Sequence, residues 1–193
     1  MSALALTLHE HRDRLGLKGP RAAQWLAAHG IEPPAAPNTW TQPAATIAAD
    51  ALLVARLGHL EFFLEDGAAG ITLKRLAQSL DEHPPGGHPP GVYPVMREDW
   101  AFHLGGERVH DALAQVCNVN FAALPLDSHP VIMTLMIGVA VLVVAQSAAG
   151  GGQGAQAEHH YRIWCDPTFG PYLGESLAAV VTECGGSYTG VFR

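Results

Sequence analysis

Eleven histidines among 193 residues invite a metal reading. His9-Glu10-His11 places two rings at i and i+2, as a strand edge would. His83 and His88 lie in a Pro/Gly stretch, and His159-His160 follow a Gly/Ala/Gln-rich one. None has a cysteine or carboxylate at metal-ligand spacing such as H-E-x-x-H, so they read as surface polar residues and no metal ligand is assigned. Cys117, in Val116-Cys117-Asn118-Val119-Asn120-Phe121, would be a nucleophile only beside a base that lowers its pKa. The alternative is a small buried thiol at a helix end. Cys165, alternating with Tyr161 and Ile163, has the same reading on a strand. Gly105-Gly106 before a helix could offer backbone N–H groups to an anion. The G-x-G-x-x-G fingerprint and the phosphate-loop Lys are both absent, however, so the pair reads as a helix cap. Glu65, Asp66 and Asp166 end strands and read as turn or cap residues. Spacing yields no Ser-His-Asp arrangement, so no catalytic residue is assigned and cofactor-binding residues stay unassigned.

The elements that would carry these residues follow a repeated plan. Leu15-Gly16-Leu17-Lys18 reads as a strand, and Gly19-Pro20 opens a helix that Gly30 closes, with Ala22, Trp25 and Leu26 on one face. Ile31 to Pro43 is Pro-rich and reads as an extended surface loop. Leu52–Arg56 and Leu60–Leu64 read as a strand pair turning at Gly58 and ending at Asp66-Gly67. Leu73, Leu76, Ala77 and Leu80 mark one helix face. Beyond the linker at 82–92, Trp100–Leu104 is a strand, and Val109, Ala112, Leu113 and Val116 mark a second such helix. Val131–Ala145 is too short for a spanning helix, which needs ~20 residues, and too rich in Val and Ile. Two buried strands, or one long bent strand, explain it. A flexible stretch at 147–157 follows, then a strand over Tyr161–Cys165 ended by Asp166-Pro167, and a closing helix along Leu173, Leu177 and Val180. Gly19-x-Arg21-x-x-x-x-Leu26 matches Gly106-x-Arg108-x-x-x-x-Leu113. The expected fold is therefore α+β: one domain over 1–193 with two similar β-α-β-β-α halves, about 12–80 and 98–183.

Composition narrows the function. Nearly half the residues are apolar and 15% are charged, enough for a sizeable core. A net charge of −7 with 11 Lys and Arg leaves no basic face for nucleic acid, and no basic run suggests a membrane surface. His9, Glu10 and Arg12 follow the apolar N-terminal run at once, which argues against a signal peptide. Three scattered cysteines fit reduced thiols. A soluble, cytoplasmic protein is expected.

Several stretches, taken together, carry a resemblance. Arg14-Leu15-Gly16-Leu17-Lys18-Gly19-Pro20-x-Ala22-Ala23-x-Trp25-Leu26, Pro33-Pro34-x-x-Pro37-Asn38-x-Trp40 and Ala55-Arg56-Leu57-Gly58-x-x-Glu61-Phe62-Phe63-Leu64 resemble the gamma subunit of heterotetrameric sarcosine oxidase. So do Gly105-Gly106, Cys117-Asn118-Val119-Asn120 and Thr134-x-Met136-x-Gly138-Val139 in the second half. The resemblance spans about residues 12–180. It departs at Asn118 and Asn120, where an acidic residue is expected, and at the segments 82–92 and 147–157, which read as local additions. Tyr188-Thr189-Gly190-Val191 lacks the Glu of the related T-protein stretch.

That family is related to the folate-binding domain of the glycine-cleavage T protein, with two similar α+β halves. The resemblance implies a non-catalytic subunit of a heteromeric N-methyl amine-oxidising complex. FAD, FMN and NAD would sit in partner flavoprotein subunits, or in other redox-cofactor-bearing ones, and the one-carbon unit would pass to tetrahydrofolate. The rival is a small tetrahydrofolate-binding aminomethyltransferase, which needs a carboxylate over the pterin, with Glu65 or Asp66 as candidates, and a pocket of roughly 300 Å³ or more. Trp40 and Trp100 are expected as partner anchors, with an ordinary core role as the alternative.

Overall fold

The computed structural model describes residues 3–8, 12–43, 52–82, 87–148 and 158–191. These form two β-sheets and four α-helices, an α+β arrangement. Contacts divide the chain into two compact units, residues 12–98 and residues 1–11 with 99–193. The apolar run that opens the chain, given no element above, is a strand, β1 (Ala5–Leu8), with Leu6 fully buried.

In the 12–98 unit, β2 (Arg14–Lys18) passes into α1 (Ala22–Ala28) through Gly19-Pro20. Gly19 has φ 125°, a conformation that a Cβ makes costly. Ala22, Trp25 and Leu26 are the buried residues of α1, as their spacing predicts. The Pro-rich segment after it is not loop throughout. Its β3 (Thr39–Thr41) pairs with β4 (Leu53–Arg56), and Trp40, opposite Ala55, is buried. A three-residue strand at the sheet edge escapes notice because its flanking prolines stay out of the ladder. β4 and β5 (Glu61–Glu65) form the expected antiparallel pair. In α2 (Ile71–Asp81), Leu73, Leu76 and Leu80 are buried together with Thr72, whereas Ala77 is exposed. A short β6 (Tyr93–Val95) pairs with β2 at the other edge, giving the order β3-β4-β5-β2-β6. Leu17, Leu26, Phe62, Leu64, Leu73 and Leu76 anchor one hydrophobic cluster between sheet and helices. Within the linker at 82–92, residues 83–86 lie outside the described residues.

In the other unit, β7 (Trp100–Gly105) leads to α3 (Val109–Val116), and all four periodic residues of that helix are buried. The Val131–Ala145 run folds into β8 (Val131–Met136) and β9 (Val139–Ala148), paired antiparallel. They turn at Ile137 (φ 50°) and Gly138 (φ 81°), two positive-φ residues that suit the twist of a two-residue hairpin. β9 is largely buried, but β8 is an edge strand with Met133 and Leu135 exposed, so burial of both strands is corrected to burial of one. β10 (Glu158–Cys165), α4 (Gly170–Glu183) and β11 (Ser187–Thr189) complete the unit. Leu173 and Leu177 are buried in α4, but Val181 rather than Val180 continues the buried face. The stretch 149–157 lies outside the described residues.

The sheet order here is β11-β1-β7-β10-β9-β8. Element order along the chain is β2-α1-β3-β4-β5-α2-β6 in one unit and β7-α3-β8-β9-β10-α4-β11 in the other. Three strands, not two, separate the helices of each unit, which corrects the expected β-α-β-β-α order. β1 stands between β7 and β11, where the other unit has β2 directly beside β6.

Candidate functional site

Glu65 and Asp66, the carboxylates weighed for one-carbon chemistry, are fully buried at the end of β5. Each has a structural partner. Glu65 Oε2 accepts from Arg14 Nε at 2.6 Å across the β2–β5 pair, with side chains 0% and 2% exposed. Burial of a lone carboxylate is costly, and the guanidinium offsets that cost. Glu65 is therefore half of a buried ion pair and not the turn residue expected. Asp66 does act as a cap. Its Oδ1 accepts from Gly67 N at 2.9 Å and its Oδ2 from Leu73 N at 2.8 Å, a donor in the first turn of α2. Asp166 accepts from Thr168 N at 2.8 Å, and Thr168, through its side chain first and then through this backbone bond, holds the Asp166 carboxyl below the usual range.

All three cysteines are free and buried. Cys117 sits at the C-terminal end of α3, its Sγ 3.8 Å from Thr134 Oγ1, which is a hydroxyl and not a base. Burial first, then Asp99 and Asp166, push the Cys165 thiol up to about 12, which opposes the thiolate that a nucleophile needs. Gly106, at φ 101°, precedes α3, but Arg108 occupies the N-cap position, so the glycines turn the chain and do not cap the helix. A Cβ on Gly105 would strike the His160 ring.

Of the histidines, residues 9–11 and His83 lie outside the described residues, and His88 is exposed. His159 and His160 are the second and third residues of β10 and take part in ring contacts the sequence did not suggest. His160 stacks on His103 with centroids 5.2 Å apart, and His159 lies 4.8 Å from His110. His110 Nε2 is 2.7 Å from the hydroxyl of Tyr161, whose own ionisation burial pushes up to about 12. Burial, His160 and Arg162 lower the His103 pKa; burial and His159 lower that of His110, with Asp111 opposing. Among the described residues no three of His, Cys, Asp or Glu come together as metal ligands.

Neither tryptophan is exposed as an anchor would be. Trp40 is buried, which overturns that expectation. Trp100 is half-buried, lies against the core and covers Gly170, in keeping with the core alternative.

A cleft of about 270 Å³ opens in the 12–98 unit, lined by His29, Ile31, Thr72, Arg75, Leu76, Gln78, Ser79 and Glu82. His29 follows α1 and Ser79 lies in the last turn of α2. His29 Nδ1 is 2.8 Å from the Trp25 carbonyl oxygen and Nε2 is 2.8 Å from Ser79 Oγ. Fifty residues separate the pair, so no local spacing could have revealed it. The one signal was His29 beside the helix-closing Gly30.

Among the described residues no helix is long and apolar enough to cross a membrane. No protein-family model and no curated protein matches the sequence. Solved structures do match. A chain of heterotetrameric sarcosine oxidase from Corynebacterium sp. U-96, solved in complex with pyrrole 2-carboxylate, aligns with a TM-score of 0.68 at 20% identity, covering 97% of this chain and 88% of that one. Aminomethyltransferase T of the glycine cleavage system from Bartonella henselae aligns with a TM-score of 0.60 at 18% identity. That alignment covers 99% of this chain and 49% of the other, so this chain spans about half its length. At these identities the likeness is one of fold, and it agrees with the resemblance in the sequence.

Proposed function

We propose that this chain is a non-catalytic subunit of a heteromeric complex that oxidises and demethylates an N-methyl amine, resembling sarcosine oxidase or N-methylglutamate dehydrogenase. The observation that carries this reading is the fold shared over nearly the whole length with a chain of a heterotetrameric oxidase. The partner subunits are flavoproteins or carry another redox cofactor, with FAD, FMN and NAD bound there. Tetrahydrofolate accepts the one-carbon unit within the complex. Its partners are proteins, not nucleic acid or membrane, and it works in the cytoplasm. We also read its two units as copies of one plan, supported by their matching element order.

The T-protein likeness favours a second reading, a small tetrahydrofolate-dependent aminomethyltransferase. The engagement of Glu65 and Asp66 in the ion pair and the helix cap counts against it.

Co-expression with candidate flavoprotein subunits, followed by size-exclusion chromatography, tests the proposal. The chain is expected to elute with a redox-cofactor-bearing partner and, by itself, to leave an N-methyl amine unoxidised. A partner-free protein that transfers methylene units to tetrahydrofolate would establish the second reading instead.

A further inference from the structure

The contact between His29 and Ser79 has a defined direction. A carbonyl oxygen only accepts, so the 2.8 Å contact to Trp25 places a proton on Nδ1. In the neutral ring Nε2 then carries the lone pair, and the Ser79 hydroxyl donates to it across 2.8 Å. The Trp25 indole, with centroids 4.1 Å away, holds the ring in place. A nucleophile, a base within hydrogen-bond reach and a third group orienting the base form the pattern of an activated serine. Both residues line the 270 Å³ cleft, and Arg75 and Gln78 line it from the same helix as Ser79.

We propose that Ser79 and His29 act as nucleophile and general base, and that this cleft cleaves esters of short carboxylic acids. Ser79 Oγ bonds to the ester carbonyl carbon as its proton moves to His29 Nε2. The tetrahedral intermediate then collapses, the ester C–O bond breaks, and the alcohol leaves with the proton from His29. Water adds to the acyl-serine by the same route, releasing the acid and restoring the Ser79 hydroxyl. No electrons are exchanged and no cofactor is required. Arg75 and Gln78 supply the donors able to face the carbonyl oxygen as it gains charge. The cleft lies below the usual ~300–1,000 Å³ of ligand pockets, which restricts the acyl group to a few carbons. This activity is separate from amine oxidation, the reaction in which the chain is read as non-catalytic, and does not rest on the subunit reading.

The test uses the full chain with p-nitrophenyl acetate. Expected are a burst of p-nitrophenol, an acetyl group on the peptide containing Ser79, and a loss on the order of 100-fold in Ser79→Ala and His29→Ala. Far-UV circular dichroism checks that the variants fold. Should Ser79→Ala unfold, Ser79→Cys preserves a donor to His29 and should carry the acetyl group on its thiol. Equal turnover in wild type and Ser79→Ala, acetyl groups on lysines alone, or no acylation of either the hydroxyl or the introduced thiol would overturn the proposal. A merely structural link between the helices predicts that last result together with lowered stability.

Discussion

Residues 65 and 66 show how position in the fold decides what a carboxylate can do. Both are fully buried, Glu65 against Arg14 and Asp66 against the backbone N–H groups of Gly67 and of Leu73 in the first turn of α2. A carboxylate poised over a substrate keeps an oxygen for the reaction, whereas Glu65 is matched to a guanidinium across a strand pair. Removing one partner of such a pair leaves a buried charge uncompensated, which costs about 3–5 kcal/mol. Glu65→Ala is therefore expected to lower the unfolding free energy by about 3 kcal/mol in urea titration. Unchanged stability would free Glu65 for a chemical role. The sequence placed Glu65 correctly at a strand end, but it could not supply the partner. Arg14 is 51 residues away and meets it only through the β2–β5 register. His29 and Ser79 were hidden by the same cause.

At the scale of elements, the long periodic segments were legible and the short ones were not. α1, α2 and α3 stand where their apolar spacing put them, and the Val-rich run folded as strands. β1, β3, β6 and β11 have four or three residues each and passed unnoticed. A strand that short has too few residues to show alternation and owes its existence to a neighbour in the sheet. The matched Gly-x-Arg steps were readable because they encode a backbone event. Gly19 and Gly106 have φ 125° and 101°, and Arg21 and Arg108 are the N-cap residues of the helices that follow. Gly19→Ala and Gly106→Ala are each expected to cost about 2 kcal/mol, the range for a non-glycine residue held in an unfavourable backbone region. Gly58 has no positive φ and open space where a Cβ would stand, so Gly58→Ala should change stability by less than ~1 kcal/mol. Urea midpoints of the three variants separate the cases, and three equal effects would contradict the backbone argument.

Across the whole molecule, the net charge of −7 counts every histidine as neutral, and two of the eleven, His103 and His110, tie proton uptake to folding. His103 is surrounded by His160 and Arg162, and His110 by His159 and the Tyr161 hydroxyl, with Asp111 opposing. Burial is the largest cause in both cases, and it disfavours the charged ring. Both folded pKa values thus lie below the ordinary 6.5 that the unfolded chain restores. Between the folded and unfolded values the unfolded state binds more protons, so stability rises with pH in that window. The contribution is complete above the unfolded value, declines as pH falls through it, and levels off below the folded values. Urea unfolding from about pH 7.5 down to about 5.5 should show a falling midpoint, with an uptake of at most one proton by each ring on unfolding. The slope identifies its source, because His103→Asn and His110→Asn together should flatten this part of it. A midpoint equally sensitive to pH in the double variant would move the linkage to other groups, whereas a flattened one would place it at the strand–helix contact of β7, β10 and α3.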